Sequence, residues 1–94
     1  MANSPYILIT TRTARKELVD LPPKIGEQVE RAIDRLLARL RGGERPQDMK
    51  RVEGRPHTYR VDSGEYRILF SLNEDEGSVT VFRVRHRKDA YRNL

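Results

Sequence analysis

The sequence predicts an α+β fold with two N-terminal helices packed on one face of a small, mostly antiparallel sheet, in the order β-α-α-β-β-β. Three observations predict it. Between Ile25 and Leu40 the apolar residues recur at helical spacing, and Gly42-Gly43 ends the run. From Tyr66 onward the apolar period switches to two, the period of a half-buried strand. The chain has 94 residues, 36% of them apolar and 35% charged, which is one domain over residues 1–94 with a thin core and an ionic surface.

The elements follow in order. Tyr6 to Thr10 is a β-branched and aromatic run that reads as a strand. Thr11 or Thr13 can cap a first helix, with Glu17 completing the cap and Ala14, Leu18 and Leu21 on one face. Leu21-Pro22-Pro23 interrupts it, because proline ends one helix and suits the first turn of the next. The second helix runs from Lys24 to about Arg41, burying Ile25, Val29, Ala32, Ile33, Leu36, Leu37 and Leu40. A polar loop follows. His57 to Val61 is a strand, Ser63-Gly64-Glu65 a turn, and Tyr66 to Leu72 an alternating strand. Asn73 to Gly77 is a second hairpin loop, and Ser78 to Arg85 the last strand.

Composition narrows the functions. With no Cys, disulfides, thiolate metal sites and a Cys nucleophile are excluded, and two His make a structural zinc site a poor fit. The chain needs no cofactor or metal on this reading. No stretch reads as a signal peptide or a membrane span, so the expectation is a cytoplasmic protein with no membrane partner. The net charge is +5, and fifteen of the nineteen cations are Arg. Arg binds phosphate through a planar fork, which suits a nucleic-acid ligand. From Val81 to Leu94 five cations (Arg83, Arg85, Arg87, Lys88, Arg92) face one anion, Asp89.

Strand alternation predicts where the charges point. If Tyr66, Ile68, Phe70 and Leu72 meet the helices, Arg67 points away from them. With Tyr59 and Val61 inward, Arg60 and Asp62 share the open face. On the last strand Thr80, Phe82 and Val84 are expected inward, leaving Val81, Arg83 and Arg85 outward. The open face then carries Arg60, Arg67, Arg83 and Arg85 against Asp62 alone, which favours a phosphate-binding surface over a set of cross-strand ion pairs.

Several motifs, in this order, carry a resemblance. Gly54-Arg55-Pro56-His57-Thr58-Tyr59-Arg60-Val61 is followed by Gly64-Glu65-Tyr66-Arg67-Ile68-Leu69-Phe70, then by Val84-Arg85-His86-Arg87-Lys88-Asp89-Ala90-Tyr91-Arg92. With the "T-x-x-A-x-K-E-L" helix and the "L-P" break before them, they resemble the RelE/ParE superfamily of bacterial type II toxins over nearly the whole chain. The resemblance implies a microbial-RNase-like fold and a cognate antitoxin. For the RelE branch it implies an endoribonuclease that cleaves mRNA on the ribosome without a metal, by attack of a ribose 2′-OH on the adjacent phosphate. Residue by residue, Arg67 matches the phosphate-stabilising arginine and Arg85 the second basic position, with Arg87 as its competitor. Tyr91 matches the C-terminal aromatic that holds a base, and Arg60 a phosphate ligand. His86 is the group whose ordinary pKa suits acid–base work. Arg83, Arg87, Lys88 and Lys50 complete the expected RNA-binding set.

One departure matters. Two residues after Arg60, where active RelE members carry a basic residue implicated in proton removal, this chain has Asp62. Three functions therefore stand open: RelE-type mRNA cleavage, ParE-type inhibition of DNA gyrase without nuclease chemistry, and a relic that only binds its antitoxin. The presence of Arg67, Arg85 and Tyr91 together favours the first.

Overall fold

The computed structural model describes residues 6–94. Strand β1 (Ile7–Thr10) leads into helix α1 (Arg12–Val19) and helix α2 (Pro23–Arg41). A two-residue strand β2 (Lys50–Arg51) precedes β3 (Thr58–Ser63), β4 (Tyr66–Asn73) and β5 (Ser78–His86). The sheet order is β1-β5-β4-β3-β2, antiparallel except for the parallel pair β1–β5. The predicted order of helices and strands is the observed one, with β2 added. Two residues inside a polar loop carry no periodicity, and only their pairing with Tyr59 and Arg60 makes them a strand.

Local chemistry sets each boundary. Thr11 is the N-cap of α1, its hydroxyl accepting the Ala14 N–H at 3.1 Å. Thr13 lies inside the helix, and Glu17 sits too far along to close a capping box. Pro23 opens α2, and Gly43 ends it at φ 81, a left-handed conformation that lets the Glu44 N–H close on the Arg39 carbonyl. Ser63 pairs with Tyr66, so the β3–β4 hairpin has a two-residue loop that begins at Gly64 with φ 59. A positive φ at the first loop position alone is the type II′ pattern, which glycine adopts without strain.

The core lies between the helices and one face of the sheet. Val29, Ile33, Leu36, Leu37 and Leu40 of α2 and Ala14 of α1 pack on Val61, Ile68, Phe70, Leu72, Val79, Val81 and Val84. Each large side chain buried there stabilises the fold by about 1.5–3 kcal/mol relative to exposure.

On β5 the observed inward set differs from the expected one. Val79, Val81 and Val84 are in the core, while Thr80 and Phe82 are not. A bulge is the cause: Phe70 pairs with Val81 and Leu69 with Arg83, so Phe82 is an extra residue opposite their junction. The bulge shifts the alternation by one and sends the consecutive pair Phe82 and Arg83 away from the helices.

Candidate functional site

The register of β3, β4 and β5 builds the open face in rows. Asp62 lies opposite Arg67, and Arg67 opposite Arg85. The next row holds Arg60, Leu69 and Arg83, with Lys50 of β2 opposite Arg60. Directly opposite residues share a face, so the pairing itself gathers the basic side chains.

At the centre are Arg67, Asp62, Arg60 and Tyr91. The Arg67 Nε donates to Asp62 Oδ1 at 2.9 Å, and an Arg60 terminal nitrogen reaches the same carboxylate at 3.4 Å. Arg67 also donates to the Tyr91 hydroxyl at 3.4 Å and lies 5.6 Å from its ring centroid. Burial works to lower the Arg67 pKa, but the hydrogen bond and charge of Asp62, with Tyr91 behind them, outweigh it and raise it. Arg67 is thus a permanent, fixed cation. Tyr91 stays 43% exposed.

Arg83 is placed differently from expectation. It is only 7% exposed, and one terminal nitrogen donates to the Ala90 carbonyl at 3.1 Å and also to the Arg92 carbonyl. Burial foremost, then the like charge of Arg85, lowers its pKa against the opposing charge of Glu17. Its side chain is spent on the backbone that flanks Tyr91, so it fastens the C-terminal segment over the open face instead of presenting a contact for RNA.

Arg85 is met by a residue that the sequence reading assigned to a helix cap. Glu17 of α1 accepts the Val84 N–H at 2.8 Å with one oxygen and the Arg85 Nε at 2.6 Å with the other. Strand β1 covers the edge of β5 only as far as Val81, so Glu17 satisfies an edge amide that would otherwise be open. The available signal was its position on α1: three residues past the buried Ala14, Glu17 falls on the inward face, where an acid needs a partner.

His86 does not join the Arg67–Tyr91 group. It pairs with Tyr66 in the register, on the opposite side of the sheet from Arg67, and its ring meets the Tyr66 ring edge-on at 5.5 Å. Its Nδ1 accepts the Lys88 N–H at 3.2 Å, which leaves Nε2 to donate to Glu65 at 3.1 Å. Lys50, Arg87 and Lys88 are exposed at the rim. Among the described residues, no cluster of three or more His, Asp or Glu is arranged to hold a metal ion.

Chemically, two guanidinium groups converge on one carboxylate beside an exposed phenol. The same two forks fit the oxygens of a phosphate, with Asp62 occupying that place in the free protein. Residues 8–91 match the family described as the ParE toxin of the type II toxin–antitoxin system, parDE. Toxin RelG of Mycobacterium tuberculosis is 34% identical over 95 residues, covering 94% of this chain and 98% of the relative. The structure of the toxin–antitoxin complex RelBE2 from the same organism is similar at a TM-score of 0.70 and 31% identity, over 89% of this chain and 100% of that one. The isolated E. coli RelE toxin shares the fold at a TM-score of 0.70 and 24% identity, over 86% of this chain and 83% of that one. Because the match runs from β1 through the strands carrying Arg67 to Tyr91 itself, the chain belongs to the RelE/ParE superfamily of type II toxin–antitoxin toxins.

Proposed function

We propose that this toxin inhibits translation by cleaving mRNA on the ribosome and is held in check by a cognate antitoxin. The observation that carries the reading is the Arg67–Tyr91 pair, a buried-side cation fixed beside an exposed aromatic. Attack of a 2′-OH on the adjacent phosphate builds negative charge on the phosphoryl oxygens, and Arg67 and Arg60 are aimed where that charge develops. Arg85 adds a third cation through its terminal nitrogens, its Nε being held by Glu17. Tyr91 stacks on a base and orients the reacting nucleotide. Lys50, Arg87 and Lys88 hold neighbouring phosphates at the rim. No cofactor enters the scheme. His86 lies behind the sheet from Arg67, which leaves it out of the proton transfer. The antitoxin reading rests on the relatives solved as toxin–antitoxin complexes.

The ParE-type alternative, binding gyrase without nuclease chemistry, has one observation in its favour. The Asp62 carboxylate already engages both Arg60 and Arg67. A translation extract given purified protein, with primer extension on the mRNA and a parallel gyrase supercoiling assay, separates the two. Cuts within codons that disappear in Arg67→Ala, with a loss of about 10²-fold or more, are expected. Gyrase inhibition without mRNA cuts would sink the nuclease reading.

A further inference from the structure

The bulge on β5 leaves a feature that the site above does not use. Phe82 is turned out of the helix-side core onto the open face, where it is only half-buried. The Arg55 guanidinium lies over its ring, 5.5 Å from the centroid. Pro56, Thr58 and Ser71 complete a shallow hollow around the ring. The hollow is on the Arg67 face, because Ser71 follows Arg67 by an even number of residues along β4. That offset of four residues is about 13 Å of strand. Arg60 and Lys50 lie in the row between. A cationic track thus leads from the Arg67–Tyr91 pair to an aromatic floor capped by a planar cation.

We infer that Phe82 and Arg55 form a second stacking subsite, which takes a nucleobase flanking the reacting nucleotide of a single-stranded RNA. The inference rests on the RNA reading proposed above. An aromatic floor accepts any base face, and the guanidinium can sandwich that base or pair with its phosphate. A hydrophobic side chain of a partner protein would gain nothing from the surrounding cations, whereas a polyanion gains from each of them. The charge of Arg83, buried beneath the C-terminal segment and near Arg55, adds to the positive field there.

The chain has no tryptophan, so Phe82→Trp places a single indole reporter in the hollow. The probe is a short single-stranded RNA with 2′-O-methyl groups, which block attack by the 2′-OH. Its binding is followed independently by the anisotropy of a terminal dye. Saturable quenching of the indole in step with anisotropy is expected, and Arg55→Ala should weaken binding about tenfold. Phe82→Leu, which keeps an apolar side chain at the bulge, should do the same without loss of thermal stability. RNA bound by anisotropy with an unquenched indole overturns the subsite, even if mRNA cleavage is intact. Absence of binding, or quenching by the antitoxin but not by RNA, overturns it as well. Quenching by RNA in a protein that makes no cuts in the translation assay keeps the subsite and rejects the nuclease reading.

Discussion

Asp62 decides how the guanidinium forks behave. It is 44% exposed at its side chain and accepts from both Arg60 and Arg67, so a phosphate arriving at this face must displace it. Asp62→Lys removes that competitor and adds a cation, and cleavage measured by primer extension should rise. Asp62→Asn separates the remaining roles: a fall of about 10²-fold or more identifies Asp62 as the base, whereas a rise identifies it as a stand-in for phosphate. Arg83 has a different kind of test. Arg83→Met keeps the aliphatic volume but leaves the Ala90 and Arg92 carbonyls without their donor, at a cost of about 1–3 kcal/mol in urea unfolding. The same change should speed amide exchange in residues 88–94 and lower activity by loosening Tyr91. Exchange unchanged in that segment would show that Arg83 does not fasten it.

At the scale of elements, α2 was legible because its stripe of Val29, Ile33, Leu36, Leu37 and Leu40 repeats without a fault over about three turns and the helix ends in glycine. Leu36→Ala, deep in that stripe, should cost about 2–5 kcal/mol by denaturant titration. Strand β5 was legible as a strand, in phase at Arg83, Val84 and Arg85 but out of phase at Thr80, Val81 and Phe82. A bulge is an insertion relative to the partner strand, and Val79, Val81, Phe82 and Val84 are all apolar, so no polar residue marks where the alternation slips. Part of the site was hidden for a different reason. Arg67, Arg60 and Asp62 lie upstream of any slip and were placed on one face correctly. Arg83 sits just beyond it, and its burial depends on a segment folding back, which strand periodicity does not encode. Glu17 bridges α1 and β5, a pairing set by where β1 stops.

The whole molecule carries +5, and on the face opposite the helices Lys50, Arg60, Arg67, Arg83 and Arg85 share rows with Asp62 as the one acid among them. Binding to single-stranded RNA should therefore weaken with salt, by about 0.7 in logarithmic slope for every phosphate contacted. Lys50→Ala or Arg87→Ala should each reduce the slope by about that amount while leaving the fold intact. Titrations at several salt concentrations read it directly, and a slope unchanged in both variants would remove these rim residues from the contact set. No helix among the described residues is long and apolar enough to cross a membrane.

The parallel pairing of β1 with β5 joins Ile7 to Ser78, across most of the chain's length. During synthesis α1 and α2 can form early, whereas β1 waits unpaired until β5 has been made and has cleared the exit tunnel. Over that interval Ile7, Leu8 and Ile9 form a bare apolar edge, and neighbouring unfinished chains are its readiest partners. Ribosome-stalled chains ending before Val79 should remain protease-sensitive, and those extending well past Arg92 should become resistant in a single step. The residues that make the protein harmful arrive last as well, since Arg67 is exposed to a usable geometry only when Tyr91 and its Arg83 anchor are in place. An interrupted message therefore yields fragments in which the Arg67–Tyr91 pair is never assembled.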